Sequence, residues 1–289
     1  MSNVIAVTGV TGQVGSRVAT RLSAAGAPQR LLGRAGSQLP ELAGATPASI
    51  GRGYADGPAV RNALDGVSTL FLVSGREAAN RLAEHQSVVD AATGAGVRRI
   101  VYLSFLSAAP DCTFTFGRDH WHTEQHIRST GLAFTFLRDS FYASMLPALV
   151  GPDGVLRGPG GDGRVSAVDP DDVADVVAAV LLAPEAHDGR SYGVTGPSAL
   201  TLAEAAAELD HRVERPVRYQ PETLEEAYAS RAGYGAPEFE VAGWVTSYQA
   251  IAEGELNAVT DTVPNLTGHP ARTFAQYLDA NPDSYAHLR

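Results

Sequence analysis

Short apolar runs alternate with helical stretches over the first half of the chain. Val4–Thr8, Thr69–Val73 and Arg99–Ser104 have the length and composition of buried strands. Residues 14–25 instead carry apolar side chains three or four positions apart, which is the period of one helical face. The same patterns predict strands over residues 30–33 and 133–137, and helices over residues 58–64, 77–96 and 118–130.

We count six strands by about residue 137, namely the five above and one without defined bounds between the strands at residues 30–33 and 69–73. Strands of four to six residues that alternate with helices are typical of a parallel sheet with helices packed on both faces. The first half of the chain therefore predicts an α/β fold with a doubly wound parallel sheet.

The pattern changes after residue 150. Residues 151–154 and 158–163 are rich in glycine, proline and aspartate, which indicates turns. A helix over residues 173–182, a short strand over 192–194 and later helical stretches follow. We expect a dinucleotide-binding domain over residues 1–150 and a smaller α/β lobe that binds the substrate over residues 151–289, the two not strictly contiguous.

Three glycines, spaced three residues apart, separate the first predicted strand from the first helix. They are Gly9, Gly12 and Gly15. This spacing allows a tight turn, a close approach of a pyrophosphate to the backbone, and close packing of helix on strand. The alternative is an ordinary strand–helix turn, but the position within a repeating α/β pattern favours a Rossmann-type dinucleotide site.

Arg34 indicates which dinucleotide is bound. NAD enzymes usually place Asp or Glu at the end of the second strand, where it holds the ribose 2′-hydroxyl. This chain has Gly33 and Arg34 there, and no acidic residue between Gly15 and Glu41. A guanidinium suits a 2′-phosphate, so we predict NADPH (NADP) as the cofactor. The alternative is that Arg34 is an ordinary solvated side chain.

Composition excludes several classes of chemistry. All 22 basic residues other than histidine are Arg, so the chain has no Walker lysine, no Schiff-base lysine and no Tyr-x-x-x-Lys pair. Cys112 is the single cysteine, which excludes an intrachain disulfide and a cysteine metal cluster. The net charge of −10 disfavours nucleic acid as a partner. We expect no signal peptide, no membrane span and a cytoplasmic location.

Two further stretches carry a resemblance to a known family. They are Arg99–Ser107, with the sequence RIVYLSFLS, and Asp119–Leu132, with the sequence DHWHTEQHIRSTGL. Together with the glycine turn and Arg34, they resemble the NmrA-like family of atypical short-chain dehydrogenases/reductases. Within that family the chain is similar to the type 2 NAD(P)H:quinone oxidoreductases and to triphenylmethane reductases, over nearly its whole length.

The resemblance implies a set of cofactor contacts. It places the pyrophosphate on Gly9, Thr11, Gly12, Gln13 and Val14, and the adenosine ribose or its phosphate on Arg34. It places the nicotinamide ribose over Val73, Ser74 and Gly75. It places the nicotinamide beside Ser140, Phe141 and Tyr142. The chain departs from the family pattern at Tyr54, at Asp139 and at His120, where relatives have an acid or amide, a proline and, in some reductases, a lysine.

His120 and Ser104 are the candidate catalytic residues. His120 and Glu124 share a helix face at i,i+4, so His120 could donate a proton while Glu124 fixes its tautomer. The alternative is a solvated helix face, and a metal site with His122 and His126 is disfavoured because further ligands are lacking. Ser104, on the same strand face as Tyr102, could bind a substrate carbonyl or serve only as a strand-end residue.

Aromatic side chains suggest the class of substrate. Phe105, Phe141 and Tyr142 could line an apolar pocket over the nicotinamide, with Trp121, Trp244 and Tyr248 as further candidates. Such a pocket suits a flat conjugated acceptor, whose reduction needs orientation more than a dedicated acid. We therefore predict an NADPH-dependent reductase of a quinone or similar conjugated small molecule, including one in a biosynthetic pathway, acting as a monomer or homodimer. The alternative is a non-catalytic NAD(P)H sensor that acts through a protein partner.

Overall fold

A computed structural model describes residues 3–289 and contains eleven strands. The strands are β1 (Ile5–Val7), β2 (Gln29–Gly33), β3 (Ala45–Ser49), β4 (Thr69–Val73), β5 (Arg99–Phe105), β6 (Ala133–Asp139), β7 (Val155–Gly158), β8 (Arg164–Val165), β9 (Arg190–Val194), β10 (Leu200–Thr201) and β11 (Arg218–Pro221). Seven of them form one sheet in the order β3-β2-β1-β4-β5-β6-β9. The pairs from β3 to β5 are all parallel, as the alternation of strands and helices predicts.

Helices connect these strands. They are α1 (Gln13–Ala24), α2 (Gly57–Ala63), α3 (Arg81–Gly94), α4 (Thr115–Ser129), α5 (Met145–Ala148), α6 (Pro170–Leu182), α7 (Leu202–Asp210), α8 (Leu224–Ala232), α9 (Glu238–Ala252), α10 (Thr262–Thr267) and α11 (Phe274–Ala280), with 3-10 turns at Pro184–His187 and Pro282–Leu288. Among residues 3–289, no helix combines the length and the apolar composition that a membrane span requires.

The order of the strands reverses at β1. The chain passes from β1 through α1 to β2 on one side, while β4 pairs with β1 on the other side. In open parallel sheets, ligands bind outside the carboxyl ends of the strands at such a switch point. The residues that follow β1 and β4, beginning with Thr8 and Ser74, therefore border the expected crevice.

The outermost strand of the sheet lacks the apolar run of the central strands. Residues 45–49 read ATPAS and are half-buried or exposed, because β3 pairs with a neighbour only on the β2 side. Pro47 has no N–H to donate, which is tolerated at the edge of a sheet. For this reason the hydrophobic pattern of the sequence does not predict where β3 begins and ends.

Helices α2 and α3 bury apolar side chains against the central strands. Val60 and Val88 belong to one core cluster with Leu70, Leu72 and Ile100 of β4 and β5. All five side chains are at most 1% exposed. This burial fixes α3 relative to β4, which positions the polar side chains that α3 carries at its N-terminal end.

Two compact units divide the chain. The first comprises the chain up to Phe105, Asp119–Arg138 and Val173–Tyr192, and the second comprises Leu106–Arg118, Asp139–Asp172 and Gly193–Arg289. The units interleave in sequence, so most of α6 belongs to the first unit although it follows residue 150. The role of residues 151–289 as a substrate-binding lobe stays a prediction.

Three helices of the second unit begin with the same capping arrangement. In each, a threonine hydroxyl accepts from the third helical N–H while the Glu or Gln at that position accepts from the threonine N–H. The pairs are Thr201 with Glu204, Thr223 with Glu226, and Thr273 with Gln276. The sequence therefore fixes where these short helices start.

Candidate cofactor-binding site

The glycine turn lies at the switch point of the sheet. Gly9 has a φ of +64°, a conformation that favours glycine, and its carbonyl oxygen accepts from the N–H of Gly12 at 2.8 Å. A Cβ at Gly15 would lie 2.3 Å from that oxygen, so glycine is required for α1 to pack this closely. The three glycines thus form the narrow backbone cradle that their spacing predicts.

The start of α1 offers a place for a phosphate group. Gly12 precedes the helix and has no side chain to cap it, and a Cβ there would meet only the Gly9 oxygen, at 3.2 Å. Thr11, Gly12 and Gln13 are exposed. Because the N–H groups of a first helical turn lack intrahelical partners, this open surface fits an anion. Val14 is buried and could contact a phosphate only through its backbone N–H.

Arg34 directly follows β2 and its side chain is exposed. Its stem passes Gly53, where a Cβ would lie 3.6 Å from the Arg34 Cδ. Arg34 lines a cleft of about 510 Å³ that is also lined by Ser37 and by Glu41, the first acidic residue after Gly15. The guanidinium is therefore accessible to a ligand phosphate beside the second strand.

Side chains from outside the segment hold Val73, Ser74 and Gly75 in place. The N–H of Val73 donates to the Thr8 hydroxyl at 2.8 Å, and the Tyr54 hydroxyl donates to the Val73 carbonyl at 2.7 Å. Burial raises the pKa of Tyr54 to about 12, so the phenol stays a hydrogen-bond donor. Tyr54, a departure from the family pattern, therefore supports the strand end of β4.

Gly75 is held through both of its backbone polar groups. Its N–H donates to Nε2 of His85 at 2.7 Å, and its carbonyl oxygen accepts from Nε of Arg81 at 2.9 Å. Both side chains come from α3 and are buried. Sequence reasoning missed these two residues. The available signal was the i,i+4 spacing of a cation and a histidine on a helix that packs against the sheet.

His120 is buried within α4, and both of its ring nitrogens have partners. Nη2 of Arg81 lies 2.9 Å from Nε2, and the Tyr102 hydroxyl lies 2.9 Å from Nδ1. A guanidinium can only donate, so Nε2 is the acceptor and the proton of neutral His120 resides on Nδ1. Burial, together with the charge of Arg81, lowers the pKa of His120 well below its usual value. His120 is therefore neutral at physiological pH.

Glu124 does not orient His120, contrary to the expectation from their i,i+4 spacing. Its carboxylate accepts from Nε and Nη2 of Arg138 at 2.8 and 2.6 Å, and from the Ser104 hydroxyl at 2.7 Å. A bidentate, charge-assisted pair outweighs a single bond to a neutral imidazole. Ser104 is fully buried, and its hydroxyl proton is already donated to Glu124.

The remaining predicted residues of α4 and β5 differ in exposure. Phe105 is buried, and its ring centroid lies 6.0 Å from that of His120. His122 is exposed, and His126 binds Asp90 at 2.7 Å. Trp121 is half-buried beside the His122 ring. The structure therefore brings Tyr102, Phe105 and His120 together, and leaves His122 and His126 outside this group.

The second unit holds the residues that follow β6. Ser140 is buried, and the half-buried Phe141 lies 6.2 Å from the ring of Phe114. The Tyr142 hydroxyl donates to Oδ2 of Asp139 at 2.6 Å. Burial raises the pKa of Asp139 to about 8, and burial beside Asp139 raises the pKa of Tyr142 well above its usual value. This pair is thus a buried carboxylic acid and a half-buried tyrosine.

Two of the more distant aromatic candidates also belong to the second unit. Tyr248 is buried beneath the Arg231 guanidinium, whose Cζ lies 5.4 Å from the ring centroid. Trp244 lies edge-on to the exposed Tyr234. Both have ordinary packing partners within the unit, so their part in a substrate pocket stays a prediction.

A family model decides the relationship of the chain to known proteins. The model of the NmrA-like family matches residues 1–247. The chain belongs to the NmrA-like family. The predicted family and the predicted Rossmann-type α/β fold are therefore confirmed.

Characterised relatives of this NmrA-like chain are reductases by name. An NAD(P)H azoreductase of Xenophilus azovorans is 34% identical over 285 residues, which cover 97% of this chain and 99% of the relative. A (4-alkanoyl-5-oxo-2,5-dihydrofuran-3-yl)methyl phosphate reductase of Streptomyces griseus is 36% identical over 287 residues, which cover 98% of this chain and 99% of the relative. The structure of an NADPH-dependent quinone oxidoreductase of Escherichia coli, complexed with NADPH, matches with a TM-score of 0.83 and 30% identity, covering 96% of this chain and 99% of that one.

Proposed function

We propose that this NmrA-like protein is an NADPH-dependent reductase that transfers a hydride to a quinone or to a similarly conjugated carbonyl compound. That the chain is an NAD(P)H-dependent reductase agrees with the names of its relatives, an NAD(P)H azoreductase and a quinone oxidoreductase among them. The acceptor class is argued below from the chain's own residues.

The glycine turn and Arg34 support the choice of cofactor. The narrow glycine turn, which is exposed at Gly12, fits a pyrophosphate, and the exposed Arg34 suits the 2′-phosphate that distinguishes NADPH from NADH. Val73 ends β4 on the other side of the switch point, and Gly75 lies two residues beyond it. Bound NADPH would supply the hydride in this reaction.

The single observation that supports a conjugated acceptor is the hydrogen bonding of the neutral His120 side chain. Its Nε2 accepts from Arg81, and its Nδ1 proton lies against the Tyr102 hydroxyl. Burial raises the pKa of Tyr102 above its usual value, and the chain has no lysine to lower it. Tyr102 is 0% exposed and His120 only 6% exposed, so neither is arranged as a proton donor to a substrate.

An acceptor that needs no protein acid fits this arrangement. A hydride added to a quinone leaves a negative charge that is spread over the ring and an oxygen, and water can protonate it. The overall balance is one NADPH, one quinone and one proton going to one NADP and one hydroquinone. An isolated ketone would instead give a basic alkoxide, for which a positioned acid contributes roughly 10²–10⁴-fold.

The relatives' names point to the same substrate class. Azo compounds, oxo-dihydrofurans and quinones are all conjugated systems, and each appears in the name of a similar reductase. A role in a biosynthetic pathway stays a prediction.

The test is NADPH oxidation against acceptors of two classes. 1,4-Naphthoquinone and an α,β-unsaturated lactone represent the conjugated class, and cyclohexanone represents isolated ketones. We expect kcat/KM at least about a hundredfold higher for the conjugated acceptors. The Gly12→Val variant, which should not bind NADPH, is the control for uncatalysed oxidation. Faster turnover of cyclohexanone would contradict the proposal, and binding of NADPH without turnover of any acceptor would favour a sensor.

A further inference from the structure

Two buried side chains of α3 hold the backbone of one residue, Gly75, just beyond the end of β4. His85 accepts the N–H of Gly75 at 2.7 Å, and Arg81 donates to the Gly75 carbonyl at 2.9 Å. His85 is 0% exposed and Arg81 is 4% exposed. Pairing between strands uses backbone hydrogen bonds, whereas Gly75 is held by two side chains. We call this pair of contacts, from His85 and Arg81 to Gly75, the clamp.

The clamped segment lies against the glycine turn. A Cβ on Gly9 would come within 3.0–3.1 Å of three side-chain atoms of Val73, so Val73 packs directly on Gly9. The N–H of Val73 also donates to the hydroxyl of Thr8, at the end of β1. Any displacement of residues 73–75 would therefore change the shape of the cradle that the cofactor is proposed to occupy.

The clamp continues from α3 into α4. Since Nε2 of His85 accepts from Gly75, the proton of neutral His85 is on Nδ1, 2.9 Å from the Thr123 hydroxyl. Thr123 in turn donates to the Asp119 carbonyl at 2.7 Å. Arg81 lies 3.6 Å from the Asp119 carboxylate and 2.9 Å from His120. One hydrogen-bond network thus connects the backbone of Gly75 to α3 and α4.

Stability alone does not account for a buried cation and histidine here. Buried ion pairs and polar networks are often replaceable by apolar side chains at little cost in stability, because their desolvation offsets the gain. What such a network does supply is a single, fixed arrangement of the groups that it bonds. In this chain the groups that it fixes are the N–H and the carbonyl of Gly75, which belong to two successive peptide groups.

We propose that His85 and Arg81 are positioning residues that fix the backbone N–H and carbonyl of Gly75 and thereby shape the cofactor-binding edge of the sheet. The inference rests on the proposed function, since it assumes that NADPH binds at this edge. Neither side chain is assigned contact with substrate or a part in proton transfer.

The test compares substitutions of His85 by calorimetry with NADPH and by steady-state kinetics with 1,4-naphthoquinone. His85→Leu leaves the Gly75 N–H without its acceptor, and we expect the Kd for NADPH to rise about tenfold or more. We expect kcat at saturating NADPH to change less than about threefold, because no catalytic group is lost. His85→Gln supplies an acceptor oxygen and should recover most of the affinity.

Val88→Ala is the matched control. Val88 is a core residue of the same helix, 1% exposed, so its truncation destabilises α3 without touching Gly75. If His85→Leu does not fold, Arg81→Lys is used in its place. A lysine keeps the charge but cannot make both hydrogen bonds of Arg81, to the Gly75 carbonyl and to His120. We expect a severalfold rise in the Kd for NADPH.

Two results would overturn the inference. One is a Kd of His85→Leu, or of Arg81→Lys where that variant is used, equal to that of the wild type. The other is an equal loss of affinity in Val88→Ala. Failure of the proposed function looks different, since the wild-type protein itself would then not bind NADPH.

Discussion

Nη2 of Arg81 donates to Nε2 of His120 across 2.9 Å in the buried part of the first unit. This bond decides the tautomer of His120, because the guanidinium has no lone pair to offer in return. It also disfavours protonation, since a second positive charge would lie beside Arg81. His120 is therefore better suited to ordering Tyr102 and Arg81 than to acting as an acid.

Substitution of His120 tests this interpretation. We expect His120→Ala to lower kcat with 1,4-naphthoquinone less than about tenfold, well below the effect of losing a general acid. The variant should also be less stable, by about 1–3 kcal/mol, because buried groups of Arg81 and Tyr102 lose a partner. Steady-state kinetics and urea unfolding measure the two effects separately.

The exposed His122 on the same helix provides the control, and His122→Ala should change neither quantity. A loss of more than a hundredfold in His120→Ala, with the Kd for NADPH unchanged, would make His120 an obligatory acid and refute our interpretation.

Arg34 should determine the preference for NADPH. Its removal takes away a charge-assisted partner of the 2′-phosphate, which NADH lacks. We expect Arg34→Ala to weaken NADPH binding by roughly 1.5–3 kcal/mol and NADH binding far less. Calorimetry with both cofactors measures the difference, and Arg190→Ala, an exposed arginine of β9, is the control. Equal losses for the two cofactors would remove Arg34 from the site.

The glycines of the turn should separate binding from folding. Gly12 has extended backbone angles, and a Cβ there would meet only the Gly9 oxygen, at 3.2 Å, so Gly12→Val should keep the fold with a small local shift and abolish NADPH binding. Gly15→Ala should instead lower stability, because its Cβ would lie 2.3 Å from the Gly9 oxygen. Circular dichroism and calorimetry distinguish the two outcomes. Unchanged NADPH affinity in Gly12→Val would mean that the turn is only structural.

Asp139 should make stability depend on pH. Its pKa is about 8 in the folded chain against an ordinary 3.8, so between these values the folded chain holds a proton that the unfolded chain has lost. Stability therefore falls as pH rises from about 4 to 8, with a slope of up to about 1.4 kcal/mol per pH unit.

Asp139→Asn removes this dependence and still offers Tyr142 an acceptor oxygen. Relative to the wild type, the variant should be increasingly more stable from pH 5 to pH 8, as followed by urea unfolding. Asp153→Asn, at an exposed carboxylate, should leave the slope over this range unchanged. A stability difference that does not vary with pH would show that Asp139 is ionised in the folded protein.

Much of the fold follows from local pattern. The runs of β4 and β5 are apolar because both faces of a central parallel strand are covered, and the glycine spacing identifies the switch point. The exposed edge strand β3 carries no such pattern. Spacing along α4 also suggested a bond between Glu124 and His120, but it could not show that Arg138 of β6 reaches the same carboxylate. The partners of Arg81 and His85 likewise depend on contacts between elements.

The central claim is tested most directly by mixing the wild-type protein with NADPH and 1,4-naphthoquinone in the absence of oxygen. The account predicts saturable loss of NADPH with an equal amount of hydroquinone formed. Binding of NADPH that no conjugated acceptor can oxidise would contradict it.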